Sequence, residues 1–400
     1  MKERITFADG YYFGDTSTGY INGQFMKTMH GYGTYYWNNG NTFTGTIQNN
    51  VFMHGTHVVK GQYTYEGPFV NMSYHGYGKC TYQNGDTYVG AYANGAMNGR
   101  GRYTYAVGGY YDGEWVNSNK QGKGENVYSD GVKYVGDFVN GRRTGYGTLT
   151  YPCGDVYEGN WVNDYFEGRG KYVFAAGGYY DGEWKAGSRQ GKGENVYTDG
   201  AKYIGDFVDG KRCGRGKYWF TDADRNDYYY DGEWKDDQYH GEGTIIGNGF
   251  RYEGDFVNSL YSGKGTLFFL EDAHYSDEYS LEELINYDFT EYYSYRYVGG
   301  FKDGLFHGFG TLTMRDAVLQ TGFVKGVPDG NGVLMVNADG FLLPGVKPTF
   351  NTYEGMIMDG DFIGLVRFTD GKTGEQSNVS LKEANEALND IIGYVEDYLP

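Results

Sequence analysis

The 23 residues YDGEWVNSNKQGKGENVYSDGVK (Tyr111–Lys133) contain every element from which most of the chain is built. They start with Tyr-x-Gly-x-aromatic, continue with a Gly-x-Gly step and end in a turn rich in Asp and Gly. Two short runs separated by turn residues predict one β-hairpin. Because residues i, i+2 and i+4 of a strand share a face, Tyr111, Gly113 and Trp115 are predicted to form an aromatic–glycine face. The acidic residues between them are predicted to form a charged face.

The Tyr-x-Gly-x-aromatic pattern recurs along the chain, and every step from Tyr65 to Tyr203 is 23 residues. Its tyrosines are Tyr65, Tyr88, Tyr111, Tyr134, Tyr157, Tyr180, Tyr203, Tyr230, Tyr252 and Tyr297. Weaker copies centred on Gly23, Gly45, Gly322 and Gly355 bring the total to about fourteen. Such a period predicts an array in which each unit contacts its neighbours. We therefore expect an all-β fold, an elongated single-layer twisted antiparallel sheet of about 14 stacked β-hairpins with a C-terminal α-helix.

Composition excludes several other classes of protein. The chain has 68 Gly and 45 Tyr but only 6 Pro, with 19% aromatic residues, which excludes both a disordered linker and collagen. The formal charge is −18, and much of it lies in residues 271–296 (eight acids, one arginine) and 375–400 (six acids, one lysine). Without clustered basic residues, nucleic acid is not expected as a partner, and broad attraction to an anionic membrane is disfavoured.

Compartment is inferred from the start of the chain and from its cysteines. No apolar run approaches the ~18–20 residues of a membrane span, and MKERITFADG at the start has charges where a signal peptide is apolar. Cys80, Cys153 and Cys213 have no paired or metal-type spacing. We expect a reduced, cytoplasmic location.

The repeats YDGEW…GKGENVYSDGVKY and YEGNW…EGRGKY resemble the MORN repeat (membrane occupation and recognition nexus) over roughly residues 20–370. The resemblance implies rods of stacked hairpins that act as scaffolds in ciliary, cytoskeletal and cortical assemblies, often as dimers. It leads us to expect a non-enzymatic scaffold that binds other proteins in a cytoskeletal assembly, first of all the axoneme of a cilium or flagellum. A homodimer stays open.

The alternative is a membrane-associated adaptor at the cell cortex. It would bind phosphoinositide lipids through the basic turns NGRR (Asn140–Arg143) and DGKR (Asp209–Arg212).

No catalytic residue, cofactor site or metal site is predicted. Five histidines share one position, directly before a glycine that opens or leads the second strand: His30, His54, His75, His240 and His307. Other repeats place Asn, Gln, Thr, Glu, Cys or Ser there, which is typical of a turn and not of a metal site. The Gly-x-Gly steps have no following helix and no GK[ST] sequence, so they do not predict a phosphate loop. Lys123 and Lys192 are expected on the charged face, near Glu114 and Glu183.

The aromatic face is the leading candidate for partner binding. Tyrosine and tryptophan are favoured interface residues, yet the same rings could serve only to pack on glycines and on each other. We leave both interpretations open. The candidate stripe comprises Tyr111, Trp115, Tyr157, Trp161, Tyr180, Trp184, Tyr230 and Trp234.

Five segments follow from the pattern: an N-terminal cap (1–19), the repeat array (20–269), an acidic insertion with a short helix (270–296), degenerate repeats (297–374) and a C-terminal helix or cap (375–400). The insertion is expected to begin its helix at SLEEL (Ser280–Leu284) and either to cover a groove or to hold a partner. TDADRNDYY (Thr221–Tyr229) is expected to form a longer turn, and FLLPGVKPTF (Phe341–Phe350) a packed loop.

The tail SLKEANEALNDIIGYVEDYL (Ser380–Leu399) predicts an amphipathic helix, with Ser380 and Glu383 as a capping box. It is expected either to cap the last hairpin or to dock or dimerise. Its candidate docking residues are Leu381, Leu388, Ile391, Ile392 and Val395.

Overall fold

A computed structural model describes residues 2–21, 24–221, 227–247, 249–270, 285, 295–338 and 349–396. Most of the predicted acidic insertion, residues 222–226 of the predicted longer turn and most of the predicted packed loop lie outside the described residues. The chain divides into two compact units, Met1–Ser188 and Arg189–Pro400.

The first unit is built of antiparallel strands. Its strands are β1 (Glu3–Phe7), β2 (Gly10–Ile21), β3 (Gln24–Trp37), β4 (Thr42–Gln48), β5 (Val51–Val59), β6 (Tyr63–Val70), β7 (Ser73–Tyr74), β8 (Gly76–Tyr82), β9 (Thr87–Ala93), β10 (Ala96–Thr104), β11 (Tyr110–Val116), β12 (Asn119–Val127), β13 (Lys133–Val139), β14 (Arg142–Thr150), β15 (Val156–Val162), β16 (Tyr165–Val173) and β17 (Tyr179–Lys185).

The second unit continues the same pattern and adds a helix. Its elements are β18 (Ser188–Val196), β19 (Lys202–Val208), β20 (Lys211–Thr221), β21 (Asp227–Lys235), β22 (Gln238–Gly247), β23 (Phe250–Val257), β24 (Leu260–Phe269), β25 (Tyr295–Lys302), β26 (Leu305–Met314), β27 (Ala317–Val324), β28 (Val327–Pro328), β29 (Gly330–Asn337), β30 (Phe350–Met358), β31 (Asp361–Thr369), β32 (Gln376–Val379) and the helix α1 (Leu381–Glu396).

Each repeat begins with a hairpin closed by a two-residue turn. Between β11 and β12 the turn residues are Asn117 and Ser118, with φ values of 47° and 63°. Positive φ at both positions is the type I′ geometry, whose twist matches that of paired strands. Most corresponding turns use Asn, Asp or Gly, such as Asn140–Gly141, because these residues adopt positive φ at the least cost. Met72, Ala186 and Lys325 are exceptions with positive φ in such turns.

The Gly-x-Gly step contains two glycines with different tasks. Gly124 pairs with Gly113, but the register then shifts so that Glu114 pairs with Gln121, which leaves a bulge at Gly122 with φ 62°. The first glycine is therefore needed for left-handed backbone in the bulge. The second glycine is needed for space, because a Cβ on Gly124 would lie 2.5 Å from the Tyr111 ring.

The core of each unit lies on the aromatic face. Along β11, burial alternates so that Tyr111, Gly113 and Trp115 are buried and the residues between them are exposed. The predicted all-β class, the hairpin repeats with their two faces and the C-terminal helix are confirmed.

Candidate functional site

The repeat tyrosines lie flat over paired glycines and are fully bonded within their own repeats. Tyr111 is 0% exposed, and a Cβ on Gly113 or Gly124 would lie 2.5 Å from it. Its hydroxyl donates to the carbonyl oxygen of Glu114 at 3.0 Å. The same contact, from each tyrosine to the carbonyl three residues later, recurs at 2.8–3.2 Å in Tyr65, Tyr88, Tyr134, Tyr157, Tyr180, Tyr203, Tyr230, Tyr252 and Tyr297.

The first residues of the chain contain one more such tyrosine, which the sequence analysis missed. Tyr12 is 0% exposed, its hydroxyl donates to the carbonyl oxygen of Asp15 at 2.8 Å, and Gly14 and Gly33 lie beneath it. The signal was Tyr12-x-Gly14, which lacks the aromatic residue two positions later.

The tryptophans of the candidate stripe are also bonded internally. The indole nitrogens of Trp115, Trp161, Trp184 and Trp234 donate to the carbonyl oxygens of Gly101, Gly147, Gly170 and Gly216 at 2.9–3.1 Å. All eight stripe residues are at most 9% exposed. Packing within the array accounts for these rings, and partner binding by the stripe stays a prediction.

A position that the sequence analysis did not single out covers each tyrosine. We call it the stacking position: the residue of the second strand that pairs with the residue four after the tyrosine, as Phe166 pairs with Trp161. In one repeat Phe43 replaces the tyrosine, and Phe52 pairs with Ile47. Six repeats place a ring there, stacked at 3.7–4.0 Å between centroids. They are Phe52 on Phe43, Tyr74 on Tyr65, Phe166 on Tyr157, Tyr239 on Tyr230, Tyr261 on Tyr252 and Phe306 on Tyr297.

Four repeats place a cation at the stacking position. They are Lys120 and Arg143 in the first unit and Arg189 and Arg212 in the second. The Lys120 ammonium lies 4.8 Å from the Tyr111 ring centroid and 2.5 Å from Oδ1 of Asn126. Burial lowers the pKa of Lys120 to about 8. Such cation–π contacts replace ring stacking at these positions.

The basic turns that favoured a lipid adaptor are largely engaged by protein groups. In NGRR, Nε of Arg143 lies 3.0 Å from Oδ1 of Asp164, and its guanidinium lies 4.4 Å from the Trp161 ring centroid. In DGKR, Arg212 is paired with Asp237 at 3.0 Å and Lys211 with Asp236 at 3.2 Å. Arg142 and Lys211 are the exposed cations of these two turns.

The outer face carries the middle residue of each Gly-x-Gly step. The type of this residue varies together with the type of the residue opposite it on the next strand. In five steps that residue is basic and an acid lies opposite it on the next strand, in the pairs Arg100–Glu114, Lys123–Asp137, Arg169–Glu183, Lys192–Asp206 and Arg215–Glu233. Lys264 is the exception, since it lies opposite Gly300. Where the middle residue is aromatic, a neutral residue lies opposite, in the pairs Tyr32–Thr46, Tyr77–Ala91, Tyr146–Asn160 and Phe309–Gly322.

These two kinds of pair differ in how they are bonded and not in how far they are exposed. Tyr77 is 70% exposed and Phe309 is 69% exposed; the Lys123 side chain is also 69% exposed, but it bonds Asp137 at 2.7 Å. The expected pairing of Lys123 with Glu114 through its ammonium is wrong. The Glu114 carboxylate instead accepts from the backbone N–H of Lys123, at 3.3 Å, because the bulge turns that amide toward it.

The helix α1 packs against the second unit through part of its predicted apolar face. The Glu383 N–H donates to Oγ of Ser380 at 3.3 Å, as the predicted cap requires. Leu388 is 0% and Ile391 is 6% exposed, Ile392 is half-buried, and Leu381 is 40% exposed. The side chain of Val395 lies outside the described residues.

Asn385 fixes this helix to the last full hairpin. Its Oδ1 accepts from the N–H of Phe362 at 2.6 Å, and its Nδ2 donates to the carbonyl oxygen of Phe362 at 3.3 Å. The amide thus continues the backbone pairing at this point.

Among the described residues, no group of three or more His, Cys, Asp or Glu side chains is placed to hold a metal ion. None of the described helices has the length and apolar character needed to span a membrane.

Comparison with known proteins gives one family. A solved structure described as a streptogramin B lyase matches 64% of this chain and 94% of its own, at 13% identity and a TM-score of 0.12, which is too low to support an argument. No curated protein matches. The model of the MORN repeat matches eleven segments: 22–42, 65–87, 88–110, 111–133, 134–156, 157–179, 180–202, 203–225, 230–249, 252–269 and 297–316. These segments cover more than half of the chain, which therefore belongs to the MORN repeat family.

Proposed function

We propose that this protein is a non-enzymatic scaffold that binds other proteins in a cytoskeletal assembly. The observation that carries the proposal is that the polar groups of the aromatic face are already bonded inside the array. The tyrosine hydroxyls and Lys120 bond within their own repeats, whereas the indole nitrogens and Arg143 bond to neighbouring repeats. What varies from repeat to repeat is the exposed outer face, as expected of a surface that displays binding sites at regular intervals.

The cytoskeletal setting, and within it the axoneme of a cilium or flagellum, comes from the family resemblance. The acidic net charge of −18 favours protein partners over nucleic acid.

Proximity labelling in cells tests the proposal. The full chain, fused to a labelling enzyme, is expected to enrich axonemal or other cytoskeletal proteins over a matched fusion that lacks the repeats. Enrichment of soluble metabolic enzymes alone, with diffuse localisation, would contradict it.

Liposome flotation separates the scaffold from the lipid adaptor. Vesicles with and without a phosphoinositide are compared at physiological salt. We expect no phosphoinositide-dependent flotation, because Arg143, Lys211 and Arg212 already have carboxylate partners. Salt-sensitive binding that is lost in Arg142→Ala would favour the adaptor.

A further inference from the structure

One repeat of the second unit lacks both rings of the stack. In the repeats before it, Tyr239, Tyr261 and Phe306 each cover a tyrosine at 3.7–4.0 Å. In the next repeat, Leu319 stands where the tyrosine is expected, because Phe323 follows it by four residues. The residue that pairs with Phe323 is Pro328, which carries no aromatic ring.

A cavity of about 500 Å³ lies at this place. Its floor is apolar, made by Leu312, Leu319 and Phe323, which are at most 3% exposed. Val327, Pro328 and Ile392 of α1 add apolar walls. The volume is in the range of about 300–1,000 Å³ that is usual for ligand sites.

The helix α1 forms one side of the cavity with side chains from its described part. Asn385 holds the helix to the backbone of Phe362, and Ala384 and Leu388 are fully buried. At the next turn of the helix, Asn389 and Ile392 border the cavity. The helix is thus fixed beside β31, and its described side chains border the space over Leu319.

The mouth of the cavity is charged. It lies between the turns Lys325–Gly326 and Asp359–Gly360, and Asp361 also borders it. Two carboxylates and one ammonium give a formal charge of −1. An occupant with a positive group next to its apolar part would complement this rim.

We propose that this cavity is a docking site for an aromatic side chain of a partner protein, flanked by a basic residue. The ring enters over Leu319 and takes the place that Phe306 takes over Tyr297. The basic residue meets Asp359 and Asp361 at the mouth. The docking site deepens the proposed scaffold function and rests on it, since it names the chemistry of one bound partner.

The test uses the full chain and a defined probe peptide, acetyl-Lys-(5-fluoro-Trp)-Lys-amide, followed by ¹⁹F NMR. One ring in a preformed pocket predicts a Kd on the order of 0.1–1 mM. The charge-reversed peptide, with Glu in place of both lysines, is expected to bind at least about fivefold more weakly. Asp359→Asn with Asp361→Asn should remove that difference.

Two variants fill the cavity with an aromatic ring, at the two positions where other repeats have one. Leu319→Tyr and Pro328→Phe are each expected to raise the Kd more than about tenfold. The matched control is Met358→Tyr, which adds a ring at a nearby exposed residue that does not line the cavity, and it should leave the Kd unchanged. Binding that survives both filling variants, or no binding up to several millimolar, overturns the proposal.

A photo-crosslinking form of the peptide, with p-benzoylphenylalanine in place of tryptophan, gives a result on the unaltered protein. Crosslinks are expected on Val327, Pro328 or Ile392, and crosslinks confined to other repeats would overturn the site. These peptide measurements do not depend on the cellular partner. A failed titration beside successful proximity labelling would therefore reject the docking site and leave the scaffold standing.

Discussion

The repeat that begins at Tyr157 and the repeat that begins at Tyr111 have the same backbone but cover their tyrosines differently. Phe166 stacks on Tyr157 at 3.7 Å and contacts Trp161 and Trp184 with its edge. Lys120 covers Tyr111 instead, and its ammonium bonds Asn126, which is 2% exposed. One backbone thus accepts either a ring or a cation.

Both repeats therefore keep the tyrosine and the two paired glycines beneath it, which we call the glycine bed (Gly159 and Gly170 under Tyr157). The residue at the stacking position differs and sets how much that repeat is stabilised. A ring buries apolar area without a dependence on pH. A buried cation loses hydration and recovers only part of that loss from an aromatic face and an amide oxygen. Substitutions of the paired glycines should therefore lower the stability of both repeats alike, whereas substitutions at the stacking position should affect the two repeats differently.

The largest effect is expected from the shared glycine bed. Gly170→Ala places a Cβ 2.3 Å from the Tyr157 hydroxyl, so the ring must leave its site or the strands must separate. We expect a loss of about 3 kcal/mol in the local free energy of opening, measured by hydrogen exchange in β15 and β16. Gly19→Ala is the control, since a Cβ there meets nothing within 4 Å. If Gly170→Ala and Gly19→Ala lowered the free energy of opening equally, the close contact between Gly170 and the Tyr157 ring would not explain the loss.

The next effect is expected from the ring cover. Phe166→Ala removes a half-buried ring that lies against four aromatic neighbours, so a loss of about 2–3 kcal/mol is expected in β15–β16 hydrogen exchange. Phe166→Lys, which copies the Tyr111 repeat, should recover part of that loss because its stem still covers the tyrosine. If Phe166→Lys were less stable than Phe166→Ala, the stacking position would not be interchangeable.

A smaller effect distinguishes the cation cover through pH. The pKa of Lys120 is about 8 in the fold, against 10.5 for the free side chain. Between these values the unfolded chain binds more protons than the folded one, so stability rises with pH across this window. From pH 7.5 to 9.5, wild type should gain about 1–2 kcal/mol relative to Lys120→Met, read from urea midpoints; the lower figure allows for solvent screening of a half-buried ammonium. A gain of the same size in both proteins would assign the pH dependence to other groups.

The hairpins, their two faces and the C-terminal helix could be predicted because they depend on local patterns: alternation, turn residues and a period of 23. The stacking position could not be recognised from one repeat, because Lys120, Phe166 and Tyr239 share no residue type. Only the bulge register shows that all three face the tyrosine.

The partner of Lys123 was missed for the same reason. Alternation placed it on the charged face, but the two extra residues of the bulge decide which neighbouring strand its ammonium reaches. The cavity beside α1 could not be predicted either, because it depends on where the helix packs against the last hairpins. The period of the repeats carries no information on that packing.

The smallest effect is expected for Lys123, three residues from Lys120 but on the outer face. Its ion pair with Asp137 has side chains 69% and 30% exposed, so Lys123→Ala should cost less than about 0.5 kcal/mol. That cost should vanish in 0.5 M NaCl because exposed charges are screened, whereas the cost of Lys120→Ala, a partly desolvated contact, should persist. Hydrogen exchange in β12 at low and high salt measures both. If salt abolished both losses alike, Lys120 would be acting as a surface charge, and the aromatic cover in the Tyr111 repeat would have to come from another side chain.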